Sequence, residues 1–318
     1  MRIFVTGATG VIGHRTIPLL LAAGHHVTAV ARSSEGRQSL ERAGAAATTL
    51  DLFDRVAAHQ ALSGHDVVIN LATSVPRSSF RALLPGAWKE MDRLRTFASA
   101  VLVEAALANG VERFVQESFA PVYPDSGAHW IGEGIEPLPA HFNRSVLDAE
   151  ASAMRFTQAG RTGVVLRFAY FYGPADPFAR DLLRFVKRGF LPFFGRPEGY
   201  LSMVHHEDAA AAVLAALEVP RGTYNVVDDE PLTRRALGDE LAAMLGVAPP
   251  KIPGPKLARL FGSMGEMFTR SLRISNRKLR STSSFAPKYP NARAGMRAVL
   301  DSFARDTDGS VILTHAAR

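Results

Sequence analysis

Short apolar runs alternate with longer amphipathic stretches along most of this chain. Seven runs have the length and apolar character of strands: 2–6, 26–31, 46–51, 66–72, 112–117, 163–168 and 223–228. Several are apolar at consecutive positions, as strands buried on both faces are. The stretches between them have helical spacing: 11–23, 36–43, 54–63, 87–109, 145–159, 207–218 and 233–245. This alternation predicts right-handed βαβ units and an α/β fold with a doubly wound, Rossmann-type parallel sheet.

The pattern changes after about residue 174. Two stretches, 189–200 and 249–255, are rich in Pro and Gly and are typical of loops. We therefore predict that a small C-terminal substrate lobe is inserted in two pieces. The predicted division is a dinucleotide-binding Rossmann domain from 1–173 plus 207–230, a substrate-binding lobe from 174–206 plus 231–305, and a tail at 306–318.

Composition narrows the class of protein. The chain has 318 residues, 47% of them hydrophobic, which is enough for a buried core. It has no cysteine, which excludes disulfides, thiolate metal sites and a cysteine nucleophile. The formal charge of +7 favours anionic partners, yet no run of five Lys or Arg occurs and no basic stripe is interleaved with aromatics. We therefore expect a small-molecule substrate and no nucleic-acid partner.

Targeting signals are not evident in the sequence. The first apolar run is too short for the core of a signal peptide, and no uncharged apolar stretch reaches the length of a membrane span. We expect a cytoplasmic protein with no membrane partner. The adjacent pair His205-His206 could suggest a metal, but neighbours on a strand point to opposite faces, so we predict no metal site.

A glycine loop, 6-TGATGVIG-13, directly follows the first predicted strand and opens the first predicted helix. Gly7 permits the tight turn, Gly10 lets backbone approach a pyrophosphate, and Gly13 lets the helix pack close to the sheet. The helix N-terminus then supplies free N–H groups and a partial positive charge. The strand–loop–helix context predicts a dinucleotide site formed by Gly7, Thr9, Gly10, Val11, Ile12 and Gly13.

The end of the second strand selects between the two nicotinamide dinucleotides. An acid there would bind the ribose hydroxyls of NAD, but the sequence reads 30-VARSS-34. Arg32 and Ser33 suit a 2′-phosphate, so NADP is favoured and NAD is less favoured. The loops after the third and fourth strands are expected to contact the adenosine half through Asp51, Leu52, Leu71, Ala72 and Thr73.

Together with the residues above, three further segments carry a resemblance to a known family: GVERFVQES at 110–118, LRFAYFYGP at 166–174 and VHHEDAAAAVLAAL at 204–217. The chain resembles the extended short-chain dehydrogenase/reductase family of NAD(P)-dependent nucleotide-sugar epimerases and dehydratases. The resemblance covers about residues 1–303. It implies a Rossmann domain with a substrate lobe, and Phe168 and Phe171 beside the nicotinamide. It also implies a catalytic serine, matched by Ser118, and a Tyr-x-x-x-Lys pair that moves the proton. Members often dimerise through two helices, here 87–109 and 145–159, so a homodimer is one expectation.

The proton relay of that family is missing. Counting back from Glu150 places Phe142 at the tyrosine and Val146 at the lysine, and no other Tyr-x-x-x-Lys occurs in the chain. Phe cannot donate a proton, and Val cannot hold a ribose hydroxyl. Arg95 also stands where the family usually has Asn.

Three nearby groups are candidates to replace the relay. Glu117 could act as acid or base, or be paired with Arg95 or Arg144. Tyr123 could reach the substrate or be structural, and His141 could be a base or a solvent-facing loop residue.

We therefore predict an NADP-dependent enzyme, a reductase or an epimerase/dehydratase-like enzyme acting on a small metabolite. In this reading Ser118 orients the substrate, and Glu117, Tyr123 or His141 handles protons. Two alternatives stay open: a non-redox dinucleotide sensor or scaffold, and a repurposed fold that catalyses isomerisation or dehydration.

Overall fold

The computed structural model describes residues 1–76, 86–174 and 176–305. Its strands are β1 (Arg2–Thr6), β2 (His26–Val30), β3 (Ala46–Thr48), β4 (Val67–Asn70), β5 (Arg113–Phe119), β6 (Trp130–Ile131), β7 (Thr162–Phe168), β8 (Tyr170–Tyr172), β9 (Tyr200–Leu201), β10 (Met203–His205), β11 (Gly222–Val226), β12 (Leu232–Thr233) and β13 (Arg273–Ile274). All seven sequence-predicted strands are present. The predicted tail, 306–318, lies outside the described residues.

The described helices follow the predicted alternation and add several in the second half of the chain. They are α1 (Gly13–Ala22), α2 (Ser34–Arg42), α3 (Arg55–Ala61), α4 (Lys89–Arg93), α5 (Ser99–Ala108), α6 (Val146–Gln158), α7 (Pro177–Lys187), α8 (His206–Ala215), α9 (Arg234–Leu245), α10 (Pro255–Ala258), α11 (Gly262–Thr269), α12 (Arg277–Thr282) and α13 (Ala292–Arg305). A π-helical turn, Leu94–Ala98, joins α4 to α5. Short 3₁₀ turns lie at Ala120–Val122, His141–Asn143 and Arg259–Phe261. No described helix is long and apolar enough to cross a membrane.

Seven parallel strands form the central sheet in the order β11-β7-β5-β4-β1-β2-β3. This is the predicted Rossmann-type doubly wound sheet. The winding reverses between β1 and β4, and ligands of such sheets bind in the crevice outside the carboxyl ends of those strands. A chain of side-chain hydrogen bonds crosses the sheet at this edge: Thr6 donates to Asn70 at 2.6 Å and Asn70 donates to Gln116 at 2.9 Å. The ends of β1, β4 and β5 are therefore fixed relative to one another.

The sheet separates two apolar clusters because successive strand residues point to opposite faces. Val115 and Leu166 pack toward α1 and α8, whereas Phe114 and Val165 pack toward α3, α5 and α6. A third cluster lies in the second half of the chain and takes in β8. Its members include Tyr170, Tyr172, Leu182, Leu183, Phe193, Met203, Leu241, Met267 and Met296.

The segment after residue 174 is more regular than its Pro and Gly content suggested. Helix α7 occupies Pro177–Lys187, a stretch for which no helix was predicted. Asp176 caps it by accepting from Phe178 N at 2.9 Å, and Pro177 stands in the first turn, where its missing N–H costs nothing.

Candidate cofactor and active site

The glycine loop between β1 and α1 leaves no room for side chains at two positions. Gly7 has φ of +68°, and a Cβ built on it would lie 2.2 Å from Leu71 O. A Cβ on Gly13 would lie 2.2 Å from Gly7 O. Thr9, Gly10 and Val11 are exposed, and no side chain caps α1. These features fit a dinucleotide pyrophosphate, because the open N-terminus of α1 offers backbone N–H groups to an anion.

The start of α2 is the second part of the predicted cofactor site. Arg32 is exposed, and its guanidinium has no hydrogen-bond or ion-pair partner among the described residues. Ser33 caps α2 by accepting from Gly36 N at 3.1 Å. A Cβ on Gly36 would lie 3.0 Å from Thr9 Cγ2, so this helix end adjoins the glycine loop. The arrangement fits a phosphate on the adenosine ribose.

The remaining predicted cofactor residues differ in what they can offer. Asp51 is exposed, although its Oδ1 already accepts from Phe53 N at 3.0 Å. Leu52 and Leu71 are buried, and Ala72 and Thr73 are half-buried beside the glycine loop. Phe168 is fully buried, so neither its ring nor its backbone is open to a ligand in this structure. Phe171 is half-buried, and its ring lies 5.5 Å from that of Phe168.

Ser118 and Tyr123 belong to one buried network. Ser118 Oγ donates to Glu150 Oε1 at 2.5 Å. Arg167 donates to both oxygens of Glu150, at 2.7 and 2.6 Å, and to the Tyr123 hydroxyl at 2.8 Å. Tyr123 in turn donates to Asn225 Oδ1 at 2.8 Å, and burial raises the pKa of its phenol. The geometry does not support direct proton transfer by either residue, because both hydroxyl protons are already committed inside the core.

Glu117, one of the predicted candidates for the relay, has a carboxylate oxygen without a hydrogen-bond partner among the described residues. Its Oε1 lies 3.2 Å from Arg95 Nη2, and both side chains are buried. Arg95 stands in the π-helical turn at Leu94–Ala98, a feature that is frequent at functional sites. Glu117 Oε2 and Arg95 Nε have no partner among the described residues. The pairing with Arg95 that the sequence offered as an alternative is present.

The positions of the missing relay are apolar. Phe142 is half-buried, and its ring lies 5.1 Å from the ring of Trp88. Val146 is fully buried at the first residue of α6. His141 is exposed on the 3₁₀ turn before that helix.

The two adjacent histidines lie beside different residues. His205 Nδ1 accepts from Glu207 N at 3.2 Å and so caps α8, while His206 Nε2 lies 3.2 Å from Asp176 Oδ2. Burial lowers the pKa of His205 to about 4. Within the described ranges, no group of three or more His, Asp or Glu could hold a metal ion.

The sequence did not single out two residues, Tyr170, which follows β7, and the buried Arg234. Tyr170 follows the last residue of β7 by two positions, and its ring meets that of Phe119, the last residue of β5, edge to face at 5.9 Å. Arg234 is fully buried, and its Nη2 donates to the carbonyl oxygen of Phe268, which packs against the third cluster. The aromatic run 170-YFY-172 was a usable signal for Tyr170, whereas nothing local marks Arg234 as buried.

Residues 3–227 match the model of the NAD dependent epimerase/dehydratase family, and the chain belongs to this family. A 3-diazoavenalumate denitrifying reductase of a Streptomyces species is 33% identical, over 93% of this chain and 99% of that protein. A 2-alkyl-3-oxoalkanoate reductase of Shewanella oneidensis is 27% identical, over 86% of this chain and 73% of its own length.

Solved structures give the same assignment. The human epimerase family protein SDR39U1 with NADPH superimposes with a TM-score of 0.75 at 20% identity, over 95% of this chain and 99% of that one, which shows a shared fold. The UDP-glucose 4-epimerase of Thermus thermophilus with NAD reaches a TM-score of 0.74 at 25% identity, over 96% and 100%. The resemblance to extended short-chain dehydrogenases/reductases is therefore confirmed, and structures of this kind hold NAD or NADPH.

Proposed function

We propose that the chain is an NADPH-dependent reductase whose substrate is an aromatic diazonium ion. The observation that carries the proposal is the apolar pair Phe142 and Val146 at the positions of the family's proton relay. The hydroxyls expected nearby, Ser118 and Tyr123, are committed to Glu150 and Asn225. A substrate that needs no proton from the protein suits such a site.

Bound NADPH would supply a hydride to the substrate. An aryl diazonium ion that accepts it becomes the arene, the carbon–nitrogen bond breaks, and dinitrogen leaves. The hydride brings one proton and two electrons, and its negative charge cancels the positive charge of the diazonium group. No further proton is taken up or released, in contrast to the reduction of a carbonyl, whose oxygen must be protonated.

The choice of NADP over NAD rests on the start of α2. Arg32 has a partnerless guanidinium among the described residues, and Ser33 begins a helix whose N-terminus favours negative charge. No carboxylate stands at the end of β2, where one would bind the ribose hydroxyls of NAD. Gly7, Gly10 and Gly13 would hold the pyrophosphate.

The aromatic class of the substrate rests on the rings at the crevice. Phe142 packs against Trp88, and Phe119 packs against Tyr170. Aromatic side chains of this kind favour a flat ring and exclude water. We further propose that the pieces 174–206 and 231–305 form the substrate lobe, because most of their buried apolar residues share the third apolar cluster.

The Streptomyces relative, by its name a reductase that removes nitrogen from a diazo compound, supports this reading. The second candidate is carbonyl reduction, favoured by the 2-alkyl-3-oxoalkanoate reductase among the relatives. That reaction would require Glu117 or His141 to supply the proton. A sensor or scaffold without turnover is not favoured by these reductase relatives.

The test uses the purified protein with NADPH and the para-diazonium derivative of cinnamic acid. We expect enzyme-dependent NADPH oxidation with release of cinnamate and dinitrogen, and a much slower reaction without protein. Because diazonium ions can react with NADPH in solution, the second readout is stereospecific use of one C4 hydrogen. Reduction of a 2-alkyl-3-oxoalkanoate but not of the diazonium compound would replace this function by the second candidate.

A further inference from the structure

A buried cation without an acidic partner among the described residues lies beside the third apolar cluster. Arg234 is 0% exposed, and its Nη2 donates to the carbonyls of Phe268 and Arg270 at 2.8 and 2.7 Å. Its Nε and Nη1 have no hydrogen-bond partner in the same part of the chain. Burial lowers the pKa of Arg234 to about 10. A guanidinium taken from water without a counter-ion is costly, so its charge favours a negative group nearby.

A second arginine adds to this positive field. Arg270 is also buried, and it donates to the carbonyls of Tyr123 and Leu138 at 3.1 and 2.6 Å. Its carboxylate partner, Glu266, is 67% exposed at a distance of 3.2 Å, so water screens that pairing. The two arginines together leave an excess of positive charge inside the cluster.

Tyr170 lies in this field and at the edge of the crevice. Its ring stacks on Phe268 at 5.7 Å and meets Phe193 and Phe119 edge to face at 5.7 and 5.9 Å. Its hydroxyl makes no hydrogen bond within the described residues. Burial raises the pKa of this phenol, while Arg234 and Arg270 act in the opposite direction. Tyr170 therefore presents a protonated hydroxyl donor in a positive, aromatic setting.

We infer that Tyr170 binds the carboxylate of an aromatic acid substrate, with its hydroxyl as donor and with Arg234 and Arg270 as the charges that favour the anion there. This inference rests on the proposed function for the class of substrate. Phe119 and Phe268 would flank the organic part of the substrate. Arg234 would act on the carboxylate through its charge and not by contact, because the backbone at Gly199 lies against its Nη1.

The decisive experiment compares the acid with its methyl ester. The para-diazonium derivative of cinnamic acid and that of methyl cinnamate carry the same reacting group and differ only in that the carboxylate is replaced by a neutral methyl ester. We expect the ester to be reduced with a similar kcat and a KM raised about tenfold or more, as loss of a hydrogen bond to a charged group predicts. Equal KM values for acid and ester would overturn the inference and leave the proposed function standing. Reduction of neither compound would sink the proposed function itself.

Tyr170→Phe removes the hydroxyl without breaking a hydrogen bond to the described part of the protein. We expect it to weaken binding of cinnamate, measured by calorimetry with NADP present, and to leave binding of methyl cinnamate and the melting temperature unchanged. Tyr172→Phe is the matched control, since Tyr172 donates to Asp228 and is fully buried. This control should lose stability and keep the preference for the acid.

Two further outcomes bear on the role of Tyr170. A loss of kcat in Tyr170→Phe with unchanged KM would show that this tyrosine acts in the chemical step and would overturn the assignment as an anion site. Arg234→Met should reduce the acid-to-ester preference if the protein folds. Should that variant fail to fold, the comparison of acid with ester on the unmodified protein still decides the inference.

Discussion

Replacing Tyr123 with Phe separates a structural from a catalytic tyrosine. The change removes one oxygen that accepts from Arg167 and donates to Asn225, both at 2.8 Å and both buried. It leaves an amide oxygen and one N–H of a guanidinium unpaired in the core. A buried unsatisfied group costs about 1–3 kcal/mol, and more when it is charged, so we expect a loss of roughly 2–5 kcal/mol in the free energy of unfolding.

The assay is urea unfolding followed by fluorescence, together with kcat at a temperature where the variant is folded. Tyr224→Phe is the matched control, because that buried phenol donates a single hydrogen bond to Pro220 O at 2.8 Å. It should lose about 0.5–1.5 kcal/mol. A Tyr123→Phe variant that kept its stability and lost its activity would refute a structural role, since Tyr123 would then act on the substrate.

Four other perturbations test separate parts of the account. Arg32→Ala should raise the Kd of NADPH about tenfold or more and leave that of NADH unchanged in calorimetric titration, and equal effects on both would contradict a 2′-phosphate contact. Glu117→Gln should destabilise the fold by about 3–5 kcal/mol in chemical unfolding because it leaves the buried charge of Arg95 without a counter-ion, and Arg95→Met in the same chain should recover part of the loss. Because the pKa of His205 is about 4 in the folded protein and near 6.5 when unfolded, unfolding takes up a proton between these two pH values, and stability should fall as pH falls from about 6.5 to 4. His205→Asn can keep the cap on α8 and should flatten the dependence of Tm on pH over this range. Met154, 59% exposed on α6, lies on one of the two helices expected to form a homodimer, so Met154→Glu should yield monomers in light scattering while Leu257→Glu does not; a monomeric starting protein would contradict the expected dimer.

The central sheet could be predicted from the sequence because its signals are local. Each strand is a short apolar run followed by a turn, and consecutive apolar residues such as 67-VVI-69 indicate burial of both faces. The glycine loop is also local, and the close approach of Gly7 to Leu71 follows from its place after β1. Helix α7 had local signals as well, in Asp176-Pro177 and the spacing of Leu182, Leu183 and Val186, but the surrounding Pro and Gly hid them.

The candidate site was less predictable because its partners are far apart in sequence. Ser118 and Glu150 are 32 residues apart, and Tyr123 and Asn225 are 102 apart, so no spacing rule reveals that these hydroxyls are committed. The pairing of Glu117 with Arg95 could be anticipated as an alternative, since both charges stood near the relay. Arg234 could not, because segments distant in sequence contribute to its burial, among them the loop at Gly195 and Gly199 and the segment 268–270.

The central claim is that the protein moves a hydride from NADPH to a substrate that needs no proton from the relay. It is tested most directly with NADPH deuterated stereospecifically at C4 and the para-diazonium derivative of cinnamic acid, in ordinary water and in deuterium oxide. We predict that the arene carries one deuterium from one face of the cofactor and none from the solvent. Label from the solvent alone, or no turnover above the reaction without protein, would contradict the account.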